Sequence, residues 1–405
     1  MKTNGYCYKA AIVFIMVLIT LDCNQYAAVQ NTPINAYVER MQGSIRENTS
    51  VKISYPENNL ITSKEEIPVI ASIVPGEPIE SATLFVNNTT IKTIETRQTE
   101  NTIPVEFLLP IALGQSKIKV VARSVSGKIT SEEIEISRIK PIEMANQVVK
   151  NRWAVVVGIS EYQHAKEGIP PLKYAHNDAQ SFMDFLYSPN GGGFKPDNTK
   201  LLLDEQATAN NIRSSLFTFL KKAEKDDLVI IYFAGHGAPE MGRPDNLYLI
   251  TYDTDPNDLA STAFPMWDME TALKRYIVAD RVLILADACH SGGVGQDFGT
   301  RSFGNANLIN SYLANLDKTK PGRAIMTASE TNQLSHEGEQ WGHGVFTYYL
   351  LEALKGKADT DGDGIVTIAE AFKYVYDKVR SATESQQHPT IRGKYDAKLP
   401  MAVTR

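Results

Sequence analysis

The chain has 405 residues, of which 43% are hydrophobic and 22% are charged, and its formal net charge is −6 at pH 7. This length favours two domains over one, and the composition is typical of a globular protein. The negative charge argues against nucleic acid or an anionic membrane surface as the main partner.

The N-terminal residues 1–28 have the layout of an export signal. Lys2 and Lys9 precede an apolar run over residues 10–21, which is shorter than the roughly 20 residues that span a bilayer. The pattern predicts a signal peptide that is cleaved, and therefore a protein of the bacterial periplasm, the cell envelope or the extracellular space. Lipid anchoring through Cys23 is the alternative.

The three cysteines are distributed unevenly. Cys7 and Cys23 lie in or beside the signal, so the exported chain is expected to retain Cys289 alone. A single cysteine cannot form an internal disulfide. It is therefore either a working thiol or a small buried core residue, and its neighbours must decide between the two.

Residues 45–140 are predicted to form an all-β sandwich. Apolar and polar residues alternate along short segments, and turn signals such as Asn87-Asn88 and Ser126-Gly127 separate them. The stretch LGQSKIKVVARSVSGK resembles bacterial immunoglobulin-like modules. Since the region contains no His and no Cys, we interpret it as a spacer, docking or regulatory domain. The six predicted strands are 51–55, 67–73, 82–88, 105–110, 116–125 and 132–137.

Residues 151–395 show a different pattern, in which apolar strands alternate with amphipathic helices. Continuously apolar strands indicate an α/β domain whose mostly parallel sheet is covered by helices on both faces. The predicted strands are 153–159, 201–203, 228–234, 247–250, 282–287 and 323–328. The predicted helices begin after Pro170-Pro171, at a Thr208 cap and near Pro265, with two more over 345–355 and 368–380.

Two of the most apolar strands lead into reactive residues. The strand 228–234 is followed by His236, and the strand 282–287 is followed by Cys289. Ligand sites of open α/β sheets form outside the carboxyl ends of strands. If the two strands are neighbours, an imidazole meets a thiol, and the imidazole can take the proton of the attacking thiol and return it to the leaving amine.

Glycines flank the histidine on both sides. We expect Gly237 to let the backbone turn sharply after His236, and its N–H to stabilise, together with the N–H of Cys289, the oxyanion of a tetrahedral intermediate. The competing interpretation makes the glycines plain strand-end turns and His236 a capping residue. His290, next to the thiol, is expected to point in another direction, since adjacent residues do, and is assigned a structural or rim role.

The segments YFAGHG and DACHSGG together resemble the caspase-like clan of cysteine peptidases, peptidase family C14, and its metacaspase and bacterial branches more than animal caspases. Cys289 follows His236 by about 50 residues, as in caspases. The resemblance extends through WAVVVGISEY, PLKYAHNDAQ, TASETNQLSHE and HGVFTYYLLEAL. It implies a Cys-His dyad that needs no cofactor and acts on proteins or peptides.

One departure from the caspase pattern concerns specificity. Caspases have glutamine two residues before the nucleophile, where this chain has Asp287. In metacaspases, an aspartate there acts with one from the helix after the first strand, which Asp178 matches. The resemblance thus implies two carboxylates that bind Arg or Lys before the scissile bond. Ala234 stands where a serine is often used, which leaves the fine specificity open.

Residues 359–370, DTDGDGIVTIAE, have the spacing of an EF-hand loop. The spacing predicts a Ca²⁺ site in which Gly364 permits the turn and Ile365 contributes its carbonyl group. The alternative is an acidic turn that binds nothing. The side-chain ligands predicted are Asp359, Asp361, Asp363, Thr367 and Glu370.

The segment 294–322 corresponds to the inter-subunit region that caspases cut. Its basic residues Arg301, Lys318 and Lys320 are candidate self-cleavage points, with a plain surface loop as the alternative. Five more histidines have no partner that the sequence suggests and are interpreted as ordinary polar positions, namely His164, His176, His336, His343 and His388.

The sequence therefore predicts an exported cysteine endopeptidase that cleaves after Arg or Lys, with calcium modulation and self-processing as further expectations. A different class remains open, in which a catalytically silent envelope scaffold uses both domains for binding. A scaffold needs neither His236 nor Cys289, which favours the enzyme. A third interpretation is a cysteine hydrolase of non-peptide amides.

Overall fold

The computed structural model describes residues 48–96, 101–240, 242–289, 312, 321–330, 333 and 335–404. The predicted signal peptide and His290 lie outside this part of the chain, as do the candidate self-cleavage residues Arg301, Lys318 and Lys320. Within the described ranges, no helix is long and apolar enough to cross a membrane.

Eight strands before residue 139 form a sandwich of two sheets, ordered β1-β3-β6 and β2-β8-β7-β4-β5. All six predicted strands are confirmed. The sequence did not predict β2, which has only three residues, or β5, which is exposed along most of its length and so lacks an apolar alternation. The strands are β1 (Ser50–Tyr55), β2 (Leu60–Thr62), β3 (Glu66–Val74), β4 (Ile79–Val86), β5 (Thr89–Glu95), β6 (Ile103–Pro110), β7 (Gly114–Ser124) and β8 (Ile129–Arg138).

Neighbouring leucines of β6 offer a matched test of the sandwich core. Leu109 is 1% exposed and Leu108 is 61% exposed, since successive side chains of a strand point to opposite faces. We expect Leu109→Ala to lower the free energy of unfolding by about 2–5 kcal/mol, and Leu108→Ala to change it by less than about 0.5 kcal/mol. Urea titration followed by circular dichroism measures both. Equal losses would contradict this core.

The second part of the chain alternates strands and helices, as predicted. Its elements are α1 (Pro141–Val148), β9 (Arg152–Gly158), α2 (Ala175–Tyr187), β10 (Thr199–Leu203), α3 (Ala209–Ser214), β11 (Leu228–Glu240), β12 (Arg243–Leu249), α4 (Leu259–Thr262), β13 (Phe264–Pro265), α5 (Met266–Arg275), β14 (Arg281–Cys289), β15 (Arg323–Thr327), β16 (Glu337–Gly338), β17 (His343–Gly344), α6 (Val345–Glu352), β18 (Ile365–Thr367), α7 (Ile368–Ala382), β19 (Thr390–Arg392) and β20 (Pro400–Val403). The Thr208 cap is confirmed, because its Oγ1 accepts a hydrogen bond from the N–H of Asn211 at 3.2 Å.

The central sheet has the order β10-β9-β11-β14-β15-β19. Its first five strands are parallel, and β19 is antiparallel to β15. One apolar core lies on each face of this sheet, which explains why its strands read as unbroken apolar runs. The mostly parallel α/β sheet predicted from the sequence is thereby confirmed.

Helix α2 packs unusually close to the end of β9, because β9 ends in Gly158. A Cβ atom added at Gly158 would lie 2.4 Å from the carbonyl oxygen of Ala175 and 2.4 Å from the Cβ of Ala179. Any side chain at this position would push the helix away from the sheet. The first turn of α2, which carries Asp178, is thus held directly over the carboxyl end of the parallel strands.

The predicted turn after His236 is wrong. Strand β11 continues through His236 and Gly237 to Glu240. Its last residues leave the parallel ladder and pair with β12 in antiparallel fashion, Gly237 opposite Leu249. This pairing gives hydrogen-bond partners to backbone groups of the extension, which a sequence pattern read locally does not reveal.

Candidate active site

His236 and Cys289 lie on neighbouring parallel strands, as the sequence predicted. The β11–β14 register pairs Ala234 with Asp287 and His236 with Cys289. Adjacent strands of a sheet are about 4.8 Å apart. The backbone therefore brings the candidate base and the candidate nucleophile to the same level at the carboxyl edge of the sheet.

The ring of His236 is buried and held in a defined orientation. His236 is 1% exposed, and its ring stacks on that of Tyr162 with centroids 5.3 Å apart. Its Nε2 lies 2.8 Å from the carbonyl oxygen of Pro170. Because a carbonyl only accepts, Nε2 must carry the proton, and in the neutral imidazole this leaves Nδ1 with the lone pair of a base.

The backbone N–H of Gly237 points away from β12. The N–H of Ile250 donates to the carbonyl oxygen of His236 at 2.9 Å, so Gly237 and Leu249 form a pair of the antiparallel ladder that is not hydrogen-bonded. The Gly237 N–H is thus directed to the opposite side of β11, where β14 lies. This direction is compatible with the oxyanion role predicted for it.

Asp178 and Asp287 meet beneath Gly344, although they come from a helix and a strand far apart in the sequence. A Cβ atom added at Gly344 would lie 2.8 Å from Oδ2 of Asp287 and 3.0 Å from Oδ2 of Asp178. Both aspartates are buried, with 2% and 3% of their surface exposed. The structure therefore brings together the two carboxylates that the sequence suggested as a pair.

The environment of these carboxylates disfavours their charged forms. Burial raises the pKa of Asp178. Burial, followed by the charge of Asp178, raises the pKa of Asp287 to about 7. Two buried carboxylates that cannot both ionise easily make a site where a cation is strongly favoured.

The sequence did not identify the groups that hold the acidic pair. Asp287 accepts hydrogen bonds from Ser335 Oγ at 2.6 Å and Thr347 Oγ1 at 3.0 Å. Asp178 accepts from the N–H of Gly344 at 3.0 Å and lies 2.6 Å from Nδ1 of His343. The sequence suggested no partner for His343, and the structure gives it one in Asp178. Its partner lies on α2, and only the fold brings the two together.

The acidic loop lies between two helical segments, as an EF-hand loop does. Oxygens of Asp359, Asp361 and Asp363 lie within 4.8 Å of one another, and Gly364 has a φ of +81°. Burial, together with the charges of the other loop carboxylates, raises the pKa of Asp363 to about 6. Lys64, from the sandwich, lies 3.2 Å from Asp361.

The loop offers oxygen donors that fit a hard cation. Oδ1 of Asp359 is buried and has no hydrogen-bond partner. The carboxylate of Glu370 is engaged by hydrogen bonds from Thr360, within the loop, and from Thr367, and it caps α7. The structure thus gathers three of the predicted side-chain ligands, while Thr367 and Glu370 form a capping box. Binding of a cation would require Glu370 to exchange these hydrogen bonds for the ion.

A histidine and a cysteine at neighbouring strand ends of a mostly parallel, helix-covered sheet define a caspase-like α/β domain. The family model of the caspase domain, peptidase family C14, matches residues 151–399. The chain therefore belongs to the caspase-domain family of cysteine peptidases.

Plant metacaspases are among its curated relatives. Metacaspase-7 of Arabidopsis thaliana is 24% identical over 195 residues, which cover 45% of this chain and 43% of the relative. Metacaspase-4 of the same plant is 29% identical over 160 residues, covering 35% and 34%. The chain thus spans less than half the length of these relatives. A solved structure from Geobacter sulfurreducens, at 18% identity, covers 63% of this chain and 100% of its own, with a TM-score of 0.44.

Proposed function

We propose that the protein is a cysteine endopeptidase with Cys289 as nucleophile and His236 as base. The observation that carries this proposal is the register that sets the two residues side by side, together with the Nε2–H tautomer that Pro170 imposes on the imidazole. The tautomer leaves Nδ1 free of a proton, as general-base catalysis requires.

The reaction follows from these roles. Nδ1 of His236 takes the proton of the Cys289 thiol as the sulfur bonds to the carbonyl carbon of the scissile peptide. The N–H groups of Gly237 and Cys289 stabilise the oxyanion. The imidazolium then gives its proton to the leaving amine, and a thioester remains. Water, deprotonated by the same imidazole, hydrolyses the thioester and regenerates the thiol.

The buried acidic pair supports a preference for Arg or Lys before the scissile bond. A guanidinium group or an ammonium group donates several charge-assisted hydrogen bonds and relieves the repulsion that raises the pKa of Asp287. An acidic side chain would instead add negative charge to a pocket that already disfavours it. Neutral side chains would leave the carboxylates without a counter-charge.

Fluorogenic peptides that differ only in the residue before the scissile bond test this function. We expect cleavage after Arg and Lys with a kcat/KM at least about 100-fold above that after Asp or Leu. Preferential cleavage after Asp would contradict the acidic pocket. Inertness towards every peptide, including after limited proteolysis and with Ca²⁺ present, would favour the scaffold.

We further propose that the loop 359–370 binds Ca²⁺, with Asp359, Asp361, Asp363 and the carbonyl of Ile365 as ligands and Thr367 and Glu370 recruited on binding. The buried, unpartnered Oδ1 of Asp359 supports this proposal, as does the all-oxygen donor set. Modulation of the peptidase by calcium is part of the same proposal.

Calcium titration by calorimetry tests the loop with a matched pair of variants. We expect the unmodified protein to bind one Ca²⁺ and Asp359→Ala to lose binding by at least about 100-fold, because a buried ligand oxygen disappears. Asp377→Ala, which removes an exposed carboxylate of α7 that pairs with Lys373, serves as control and should bind normally. Equal affinities for all three proteins would contradict the site.

Export and processing complete the proposal. The signal-like residues 1–28 support delivery to the periplasm, the cell envelope or the exterior, and the basic residues of the segment 294–322 support self-cleavage by an enzyme of this specificity. The alternating strands and the module-like stretch support an immunoglobulin-like identity for the N-terminal sandwich. N-terminal sequencing of the secreted, incubated protein would locate both the export and the self-cleavage sites.

A further inference from the structure

The chain's own imidazole already engages the acidic pair. Nδ1 of His343 lies 2.6 Å from Oδ1 of Asp178, and the side chains are 18% and 3% exposed. The other oxygen of Asp178 accepts the N–H of Gly344 at 3.0 Å. Two consecutive residues of β17 thus hold both oxygens of one buried carboxylate.

Within the described part of the chain, in contrast, the hydrogen-bond partners of Asp287 are neutral. Its hydrogen-bond partners are the hydroxyls of Ser335 and Thr347. Among the described residues, His343 is therefore the one side chain able to carry positive charge that hydrogen-bonds to either carboxylate. It occupies one of the two carboxylates to which the proposed pocket would bind the cationic group of a substrate.

The segment that carries His343 lies outside the central sheet. The residue lies on a two-residue strand that, within the described ranges, pairs with β16, Gly338 opposite His343 and Glu337 opposite Gly344. It follows Gly342, which has a φ of +63°. Rotation of the imidazole away from Asp178 breaks no hydrogen bond of the central sheet, and the Gly344 N–H still positions the carboxylate.

We propose that His343 is a specificity-determining residue, whose imidazole occupies Asp178 in the substrate-free protein and is displaced by the basic side chain of the substrate. This inference rests on the proposed function of the acidic pair. A guanidinium group has donors for both Asp178 and Asp287 and replaces the lost hydrogen bond. A neutral side chain that displaced the imidazole would leave a buried carboxylate oxygen unpaired, which is costly, so His343 strengthens selection against such substrates.

Titration with agmatine, a small guanidinium compound, tests the displacement directly. In protein labelled with ¹⁵N-histidine, we expect the His343 imidazole resonance, assigned by its loss in His343→Ala, to shift as agmatine binds. The shift should saturate with the Kd found by calorimetry. We expect His343→Ala to bind agmatine about fivefold more tightly, because the competing hydrogen bond is gone.

A second imidazole–carboxylate pair provides the matched control. Nδ1 of His176, which like Asp178 lies on α2, is 2.5 Å from the carboxylate of Asp204, and the side chain of His176 is far more exposed than that of His343. His176→Ala should therefore leave the agmatine affinity unchanged. Agmatine binding without movement of the His343 resonance would overturn the inference, as would equal or weaker binding by His343→Ala. Absence of agmatine binding by the unmodified protein would contradict the acidic pocket of the proposed function itself, and the inference with it.

Discussion

Replacing Cys289 by alanine is expected to lower kcat/KM for peptides ending in Arg by at least about 1,000-fold, because no other group in the reaction can form the thioester. His236→Ala should cost at least about 100-fold, since the thiol then lacks its base. Initial rates with a fluorogenic Arg peptide measure both losses, and circular dichroism establishes that the variants remain folded.

The control for the histidine is His164→Ala. His164 is partly exposed beside Glu167, 3.2 Å from its carboxylate, and has no role in the proposed reaction. We expect this variant to keep its kcat/KM within about twofold. Hydrolysis that survived in Cys289→Ala would show that another residue performs the chemistry.

Asp287→Asn is expected to lower kcat/KM for Arg and Lys peptides by about 100-fold, the equivalent of about 3 kcal/mol for loss of one charge from a buried pair. The amide has the shape of the carboxylate but no charge. The loss should be greatest for basic substrates and small for neutral ones, which separates a specificity role from general damage. Kinetics with the peptide series measures the difference.

The same carboxyl should make substrate affinity depend on pH. Because the pKa of Asp287 is raised to about 7, lowering the pH through this value protonates the carboxyl and removes negative charge from the pocket. The KM for an Arg peptide should therefore increase as the pH falls from about 8 to about 6. This increase should be weaker in Asp287→Asn. Asp184→Asn, on the exposed face of α2, is the control. A pH-independent KM in the unmodified protein would contradict this electrostatic description.

The sequence could predict the strands of the sheet and the placement of His236 and Cys289 at strand ends, because both depend on local patterns. The fold, and not a local pattern, makes the two strands neighbours. Strands buried on both faces read as apolar runs, and the reactive residues directly follow two of them. The turn predicted after His236 was wrong because glycine favours turns over strand interiors, so the local pattern indicated a turn. The choice is made by β12, whose pairing with β11 no local pattern reveals.

The environment of the acidic pair could be predicted only in part. The resemblance identified Asp178 and Asp287 as the acidic pair. It did not identify Ser335, Thr347 and His343 as their hydrogen-bond partners. These side chains come from the loop before β16, from α6 and from β17, and their contacts depend on how those segments close over the sheet. His343 and Asp178 are 165 positions apart. Spacing carries no information about such a contact, and hydrogen-bonding capacity alone does not single out one histidine among seven.

Covalent labelling with an active-site reagent tests the proposed nucleophile and the acidic pocket together. The protein is treated with two peptidyl chloromethyl ketones that differ only in ending with Arg or Asp, and the modified residue is located by mass spectrometry after digestion. We expect the Arg reagent to form one adduct, on Cys289, and the Asp reagent to react far more slowly. An adduct at any other residue, or faster labelling by the Asp reagent, would contradict a peptidase that uses Cys289 and selects basic side chains.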